Sequence, residues 1–477
     1  MAAAGLIFIA PFCIVTAVSA VCQTKSSGDA NCDGVVQMTD FEIWRKEYMK
    51  SLTTLDSDFD GNGVVNMLDF EAWRKGYFVP TATQTPTVTP TSPTNTPTPR
   101  PTVTVSPTQP ATTLDQQISN TWSLAASRAT ADVAAFSTSK YPSSTSSTSW
   151  SLTSASSWTS GFFPGVLWFL YQHTNDPAWK THAADWQKGI EGQKTNTGTH
   201  DVGFMLFSSY GNGFKITQDA SYKQVLLTTA ASLASRYNAT VGCIRSWNST
   251  DPDFQVIIDN MMNIEILFWG AKNGGQAAWN DMATSHALKT AQNHVRADGS
   301  TYHIVHYNST TGAVVSQGTV QGYSDSSTWS RGQAWAIYGF TTSYRETQNQ
   351  VFLDTARKTA DYYIAHLPSD FVPFWDFQAP EVSPPRDSSS AAIAASGLLE
   401  LSQLDTDPAR QTKYFEAAKN ILTSLTSAKY LSSGTSTPSI LLHGTQNKPK
   451  GNYDTGLIFG DYYLLEALLR YEQYGKR

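Results

Sequence analysis

Two aspartates in otherwise apolar stretches are the residues best suited to acid–base chemistry in this sequence. Asp259 lies within Val256–Trp269, which is apolar nearly all round and therefore predicts a buried inner helix. Burial disfavours an ionised carboxyl and raises its pKa, which suits a general acid at neutral pH. The pattern fits equally well an aspartate at a helix N-terminus, whose carboxyl accepts hydrogen bonds from backbone N–H groups.

The second aspartate, Asp201, lies in the run Thr199–Phe204, which opens another apolar helix. The helix dipole and the free N–H groups at that N-terminus are expected to keep its carboxyl ionised. Taken alone, Asp201 fits a helix cap better than a catalytic role. Together the two aspartates predict one carboxyl pushed towards its neutral form and one held charged, which is how acid–base pairs divide their roles.

A third block, Gln321–Trp335, is a polar loop that runs into a helix. Within it, Arg331 is suited to hold a carboxylate through a charge-assisted fork, and Trp329 to stack on a sugar ring. The same side chains are equally suited to fasten the loop to the helix. The block therefore predicts either a binding surface for a ring that carries a carboxylate or a structural staple.

The elements that must position these residues are mostly helical, because apolar residues after position 114 recur at spacings of three and four. Only Ser300–Val320 reads as an extended hairpin, with its turn near Thr311-Gly312. About twelve helical stretches without a solenoid repeat predict an α/α toroid over residues 114–477, with a cleft at the inner-helix ends. The predicted helices include Gly165–Thr174, Ala178–Gln193, Tyr222–Tyr237, Val256–Lys272, Ala277–Val295, Thr328–Arg345, Val351–Ala365, Ser389–Gln403, Ala409–Ser424 and Thr455–Tyr474.

Residues 28–78 contain a unit that is duplicated with an offset of 29 residues, as from Asp40 to Asp69. Oxygen-bearing side chains fall at positions 1, 3, 5 and 12 of each loop, with a glycine at position 6, as in EF-hand loops that bind Ca²⁺. The predicted calcium ligands are Asp29, Asn31, Asp33 and Asp40 in the first copy and Asp58, Asp60, Asn62 and Asp69 in the second.

This pair of loops resembles a type I dockerin, a module that docks an enzyme onto a cohesin-type scaffold protein. The resemblance implies bound Ca²⁺, a helical module and a scaffold partner. The positions before the last ligand hold Met38-Thr39 and Met67-Leu68, which depart from the usual Ser/Thr pairs. The alternative is a calcium-stabilised spacer that has no partner.

The segments around this module indicate export. Residues 1–20 are apolar and end in Val18-Ser19-Ala20, which resembles a signal-peptidase site, although a retained N-terminal anchor is the alternative. Residues 80–113 are rich in Pro and Thr and predict a disordered, extended linker. We therefore expect a secreted or surface-attached protein with no membrane segment after cleavage, in which Cys22 and Cys32 are able to pair.

The composition excludes some functions. The net charge of −6 does not favour binding to nucleic acid, and none of the 4 cysteines has the spacing of a zinc site. Aromatic residues make up 12% of the chain, including 14 Trp, which suits stacking on sugar rings.

Several long motifs resemble glycoside hydrolase family 88, the unsaturated glucuronyl hydrolases, from about residue 120 to residue 473. They include His200-Asp201-Val202-Gly203-Phe204, the Ile258–Asn263 run and the Gln321–Gly339 run. Trp158–Gly165 and Asp387–Gly397 add to the resemblance. It implies an (α/α)6 barrel that acts without a cofactor on oligosaccharides ending in an unsaturated uronic acid.

The resemblance also implies roles for individual residues. Asp259 corresponds to the family's general acid/base, and Asp201 to the aspartate that assists it and contacts the sugar. Where many members have His-Gln, this chain has Val320-Gln321, which puts the preferred sugar and linkage in doubt. The implied substrate-binding residues are Trp158, Trp247, His303, Gln321, Trp329 and Arg331.

Two other functions fit the sequence less well. An unsaturated rhamnogalacturonyl hydrolase shares the barrel and the chemistry, but the Ile258–Asn263 and Ser327–Trp335 blocks favour the glucuronyl type. A non-catalytic carbohydrate-binding protein on a scaffold would not need both Asp201 and Asp259.

Overall fold

The computed structural model describes residues 29–32, 35–48, 55–59, 62–66, 68–70, 72–73 and 113–475. The chain divides into two compact units, Met1–Ser106 and Pro107–Arg477, and each is described separately. In the part of the chain that the structure describes, no helix is both long and apolar enough to cross a bilayer. The predicted signal peptide, residues 80–112 of the predicted linker, Cys22, Asp33 and Asp60 lie outside the described residues.

The duplication of the first unit is visible in its hydrogen bonds. The indole N–H of Trp44 donates to the carbonyl of Asn66 at 3.0 Å, and that of Trp73 donates to the carbonyl of Gln37 at 3.0 Å. Both donors and both acceptors are separated by the same 29-residue offset, so each half of the repeat fastens the other. The first half carries helix α1 (Met38–Tyr48).

The carboxyl at position 12 of each loop occupies the same place in both halves. Asp40 Oδ1 accepts the N–H of Ala30 at 2.9 Å, and Asp69 Oδ1 accepts the N–H of Phe59 at 2.8 Å. Among the described residues, no group of three or more His, Cys, Asp or Glu side chains is arranged to hold a metal. The repeat is therefore structural as well as sequential, while calcium and the dockerin resemblance stay predictions.

The described part of the second unit is a double ring of helices. In chain order these are α2 (Leu114–Ala135), α3 (Phe162–Thr174), α4 (Pro177–Ile190), a π-helix (Gly203–Gly211) continued by α5 (Asn212–Thr217), α6 (Ala220–Ala234), α7 (Asn260–Asn263), α8 (Glu265–Lys272), α9 (Ala278–Asn293), α10 (Ser330–Thr347), α11 (Gln350–Ala365), α12 (Ser388–Leu404), α13 (Pro408–Leu425) and α14 (Ile458–Tyr474). Short 3₁₀ helices cover Glu191–Thr195 and Lys448–Lys450.

Six of these segments form the inner ring: α3, the π-helix with α5, α7 with α8, α10, α12 and α14. Each packs against the next, and α14 packs against α3, which closes the ring. The inner segments are buried on nearly every side, whereas the outer helices bury one face. Because each outer helix returns the chain, the inner helices share one direction, and the predicted toroid is confirmed for this unit.

Three small antiparallel sheets decorate the ring. The predicted hairpin is confirmed as strands β6 (Ile304–Asn308) and β7 (Val314–Gly318). Gly312 at its turn has a φ of +71°, which favours glycine. The expectation that no other segment is extended is wrong, because short strands also occur between the helices. The strands are β1 (Tyr141–Ser146), β2 (Ser149–Thr153), β3 (Tyr237–Asn238), β4 (Cys243–Ile244), β5 (Asp253–Ile257), β6 (Ile304–Asn308) and β7 (Val314–Gly318).

The predicted helix Val256–Lys272 begins too early. Residues Asp253–Ile257 form strand β5, which pairs with β6, and the helix begins only at Asn260. A continuous apolar run does not distinguish a buried strand from a buried helix, and the β-branched Val256 and Ile257 favour the strand. Asp259 therefore lies at a junction between strand and helix.

Candidate active site

A cleft of about 480 Å³ opens at the N-terminal ends of the inner helices. Both candidate aspartates line it, together with two half-buried tryptophans from different loops. The lining residues are Trp158, His200, Asp201, Phe204, Trp247, Ile257, Asp259, Val320, Gln321, Arg331, Gln446, Asn447, Lys450 and Asn452.

The backbone before Asp259 is fixed by hydrogen bonds from three sides. The N–H of Ile257 donates to Ser246 Oγ at 2.9 Å, and the N–H of Ile258 donates to the carbonyl of His303 at 2.9 Å. On the third side, Nε2 of His294 contacts the carbonyl of Val256 at 3.1 Å. Asp259 then takes the N-cap position of α7, but its carboxyl accepts no hydrogen bond from the helix N–H groups. The carboxyl is thus a buried group, only 8% exposed, that is not used as a helix cap.

His303 is the partner of that carboxyl, and its tautomer is determined by the backbone. The Nδ1 atom of His303 accepts the N–H groups of Val320 at 3.1 Å and Gln321 at 3.3 Å. Because Nδ1 must be unprotonated to accept them, the ring is neutral and carries its proton on Nε2. That Nε2 lies 3.5 Å from Asp259 Oδ2, so His303 presents a donor to the carboxyl.

The surroundings of Asp259 lower its pKa rather than raise it. Burial is the largest single influence and raises the pKa, but the N–H that His303 directs at the carboxyl and the electrostatic influence of His200 and Arg331 outweigh it. The carboxyl is therefore ionised in the free protein at neutral pH. The expectation of a raised pKa is wrong for this state, because it considered burial without the neighbours that burial brings together.

Asp201 is held by side chains rather than by helix N–H groups. Its Oδ2 accepts the hydroxyl of Thr199 at 2.7 Å, and its Oδ1 lies 3.3 Å from Nε2 of His200. No backbone N–H of the described residues donates to this carboxyl, so the cap interpretation does not hold. The side chain keeps 18% of its surface exposed, and this surface faces the cleft.

Asn263 ties the segments of the two aspartates together. Its Oδ1 accepts the N–H of Phe204 at 2.8 Å, and its Nδ2 lies 3.5 Å from the carbonyl of Asp259 and 3.5 Å from Nδ1 of His200. Gly203 makes this approach possible, since a Cβ there would lie 2.6 Å from Asn263. The two carboxyls therefore belong to one hydrogen-bonded structure.

Arg331 fastens the cleft wall from inside. Its side chain is 2% exposed and donates to Asp387 Oδ2 at 2.8 Å, to Gln321 Oε1 at 3.1 Å and to the carbonyls of Thr445 and Gln446. Four donations occupy most of the guanidinium, which favours the stapling interpretation over a free fork for a substrate carboxylate. Its charge nevertheless stays at the cleft, where it acts on Asp259.

The predicted binding residues divide into two groups. Trp158, Trp247, Gln321 and Arg331 line the cleft, whereas His303 and Trp329 lie behind its surface. Trp329 packs on His303, with ring centroids 4.5 Å apart, and lies under the Arg331 guanidinium. Trp329 therefore supports the imidazole that faces Asp259 and is not placed to stack on a sugar in this structure.

Sequence reasoning missed one wall of the cleft. Gln446, Asn447, Lys450 and Asn452 come from a loop more than a hundred residues after the other lining residues. Lys450 is exposed, and no carboxylate of the described residues lies within ion-pair distance of it. The sequence marks this loop only by a polar run with two lysines, Gln446–Lys450. Such a run has no hydrophobic periodicity from which a position at the cleft could be predicted.

A barrel-end cleft with two differently held carboxyls and aromatic walls is an arrangement suited to a carbohydrate-active hydrolase that works by acid–base chemistry. The family model of Glycosyl Hydrolase Family 88 matches residues 127–476. The chain belongs to this family and is a glycosidase.

Named relatives agree with this assignment. The chain is 45% identical over 321 residues to the unsaturated glucuronyl hydrolase of Formosa agariphila, covering 66% of this chain and 79% of the relative. It is 37% identical over 327 residues to the enzyme of the same name from Bacillus sp. (strain GL1), covering 66% and 86%. A crystal structure of an unsaturated glucuronyl hydrolase specific for heparin superposes with a TM-score of 0.73 at 38% identity, covering 76% of this chain and 99% of that one.

Proposed function

We propose that this protein is an unsaturated glucuronyl hydrolase that removes a 4,5-unsaturated uronic acid from the non-reducing end of oligosaccharides made by a polysaccharide lyase. The observation that carries the proposal is Asp259, a buried carboxyl at the base of the cleft with a donor from His303 against it. The family and the relatives support the same reaction.

The reaction begins at the double bond rather than at the anomeric carbon. Asp259 protonates C4 of the vinyl ether, and positive charge develops at C5. Water, deprotonated by the same carboxylate, adds at C5, and the hemiketal that results opens and expels the rest of the chain. Because no displacement occurs at the anomeric carbon, the separation of the two carboxyls does not predict the stereochemistry.

Substrate binding supplies the proton affinity that the free carboxyl lacks. The substrate carries its own carboxylate on C5, next to the carbon that Asp259 protonates. A like charge brought against Asp259 and the exclusion of water both raise the pKa of its carboxyl. Asp259 therefore takes up a proton as the complex forms and is an acid when the chemistry begins. Asp201 is placed to bind a sugar hydroxyl and to assist.

The walls of the cleft suit an anionic oligosaccharide. Trp158 and Trp247 offer faces for the sugar rings, and Gln321 offers an amide in the same cleft. Lys450 supplies a cation to the cleft wall, and we expect the second sugar of the substrate to bind near it. We therefore expect substrates whose second sugar carries a negative group to be preferred over neutral ones.

We also propose that the first unit binds Ca²⁺ and docks the exported enzyme onto a cohesin-type scaffold. Asp58 accepts the N–H groups of Asn62 at 3.1 Å and Gly63 at 2.8 Å, which curls the loop around its oxygen atoms as calcium binding requires. Val35 and Val64, at equivalent places of the repeat, are 57% and 60% exposed and suit an apolar contact with a partner. Binding to a type I cohesin that disappears with a chelator would support this, whereas calcium binding without a cohesin partner would support the spacer.

The test of the enzymatic function is the ultraviolet absorbance of the conjugated C4=C5 uronate, followed on a panel of lyase-generated disaccharides. We expect the absorbance to fall with the native protein and to persist with Asp259→Asn. The panel includes glucuronyl and rhamnogalacturonyl disaccharides, and the sugars released from each are identified. A fall in absorbance with the rhamnogalacturonyl substrate alone would show a rhamnogalacturonyl hydrolase instead. No fall with any substrate, although the protein is folded, would favour a carbohydrate-binding protein without catalytic activity.

A further inference from the structure

The buried face of outer helix α9 carries a polar stripe beside the site. His286, Thr290 and the C-cap residue His294 are spaced four residues apart, so they lie on one face, and all three are fully buried. Polar groups in such a place are expensive unless each finds a hydrogen-bond partner. None of the three takes part in the reaction proposed above.

Backbone contacts determine the tautomers of both histidines. Nδ1 of His286 accepts the N–H of Ile244 at 3.0 Å, so its proton is on Nε2. Nε2 of His294 contacts the carbonyl of Val256 at 3.1 Å and must donate to it, so its Nδ1 is an acceptor. Burial lowers the pKa of His286 to about 3 and that of His294 to about 4, so both rings are neutral.

The groups left over by these contacts complement one another. Nε2–H of His286 lacks an acceptor, Nδ1 of His294 lacks a donor, and the Thr290 hydroxyl lacks both among the described residues. Asn260 donates to the carbonyl of Ile244 at 2.9 Å, and its own Oδ1 lacks a donor. Water, which both donates and accepts hydrogen bonds, is suited to satisfy these two unmatched donors and three unmatched acceptors.

Two of these four residues contact or adjoin the chain before and after Asp259. Asn260 is the residue after Asp259, and His294 holds the carbonyl of Val256, three residues before it. The groups that face the stripe electrostatically are His200, His303 and Asp259. A displacement of the stripe would therefore move the carboxyl relative to His303.

We propose that His286, Thr290, His294 and Asn260 form a buried binding site for one or two ordered water molecules and act as positioning residues that fix Asp259 from behind. The positioning role rests on the proposed function, since it assumes Asp259 as the acid/base, but the water site does not. The waters complete the hydrogen bonds between α9 and the junction of β5 with α7. They do not contact the substrate and take no part in the bond changes.

Thr290→Val tests the water site through the sign of its effect on stability. If no water is bound at Thr290, removing its unmatched hydroxyl leaves the thermal midpoint unchanged or raises it, which would overturn the proposal. If water is bound there, the midpoint falls by about 2–4 °C. Thr229→Val is the matched control, because that buried hydroxyl donates to the carbonyl of Val225 at 2.9 Å within its own helix and faces no such set. A crystal structure of the native protein should contain water within hydrogen-bond distance of Thr290 Oγ1.

The positioning role is tested on the same variants by steady-state kinetics. We expect Thr290→Val to lower kcat about threefold to tenfold with little change in KM, to alter the pH profile of kcat, and to be rescued by Thr290→Ser. An unchanged kcat together with a lowered midpoint would leave a water site that only stabilises the fold and would overturn the positioning role. Failure of the proposed function is recognised separately, because Asp259→Asn would then retain turnover while the midpoints of the threonine variants still differ.

Discussion

The two ends of the barrel contain cavities of similar size that differ in how their charged groups are paired. The front cavity is the active-site cleft of about 480 Å³, and the rear cavity, at the C-terminal ends of the inner helices, has about 650 Å³. The rear cavity has more ionised groups, but its cations and carboxylates neutralise one another. Its charged lining residues are Lys215, Glu265, Lys272, Arg345, Glu346, Glu400, Glu466 and Arg470.

The pairing at the rear is extensive. Arg345 contacts Glu265, Glu346 and Glu400, and Arg470 contacts Glu400 at 3.0 Å. Burial raises the pKa of Glu400, but Arg470 and Arg345 outweigh it and lower the pKa to about 2. At the front, no guanidinium or ammonium group of the described residues lies within ion-pair distance of Asp259, and Nε2 of His303 lies 3.5 Å from its Oδ2. The carboxylates of the rear cavity are therefore held in direct ion pairs, whereas the carboxyl proposed for chemistry lies where no guanidinium or ammonium contacts it directly.

The largest expected effect separates the two ends by activity. Asp259→Asn removes the proton donor and should lower kcat by about 10²–10⁴-fold without changing the thermal midpoint much. Glu346→Gln at the rear is the matched control, because it makes the same chemical change in a carboxyl that faces the other cavity, and it should keep full turnover. An Asp259→Asn protein with more than about a tenth of native activity would remove this residue from the role.

The second prediction separates the two ends by stability. Arg345→Met leaves three carboxylates at the rear without their shared cation and should lower the free energy of unfolding by about 2–4 kcal/mol, since breaking a largely buried pair leaves uncompensated charge. Denaturant unfolding measures the loss. The folded fraction should keep native kcat and KM, and a fall in kcat with native KM would mean that the rear end is coupled to the reaction.

The third prediction concerns pH. Burial is the largest cause that raises the pKa of Asp461, at the front end of α14, to about 8, and that of Asp132 to about 7. An unfolded aspartate ionises near ~4, so above that pH the folded state binds more protons than the unfolded state. Stability from these groups is therefore present below pH ~4 and is lost as pH rises towards 8.

Asp461→Asn should make the decline of the thermal midpoint between pH 5 and 8 shallower, because one of the groups that takes up protons in the folded state is gone. The slope is the informative quantity, since the amide also disturbs the hydrogen bonds from the N–H groups of Ile440 and Leu441. Glu400→Gln is the control at the rear. Its lowered pKa makes its contribution to stability fall only below pH ~4.5, so the same slope should not change.

The sequence was sufficient to predict the ring of helices and to select the two aspartates that line the cleft, because both depend on local patterns. Spacings of three and four predicted the helices, and apolar runs made Asp201 and Asp259 conspicuous. The start of the helix at Val256 was wrong because strand β5 depends on pairing with β6, some fifty residues later.

The electrostatics of the site depended on contacts that no local pattern contains. The direction of the Asp259 pKa shift is decided by His303 and Arg331, and the position of Lys450 by a loop near the end of the chain. The stapling role of Arg331 likewise required the position of Asp387, which the sequence placed only within a motif.

The smallest expected effect is on specificity at the front end. Val320 lines the cleft with 43% of its surface exposed, while its N–H holds Nδ1 of His303. Val320→His adds a hydrogen-bonding side chain to the wall but keeps that backbone contact, so kcat should change less than about twofold. The ratio of kcat/KM between two unsaturated disaccharides that differ in their second sugar should shift by about threefold to tenfold, the worth of one exposed hydrogen bond. Val320→Leu is the apolar control. A shift of equal size in both variants would assign the effect to the bulk of the side chain, and a large loss of kcat in either would mean that the loop carrying Val320 has moved His303 away from Asp259.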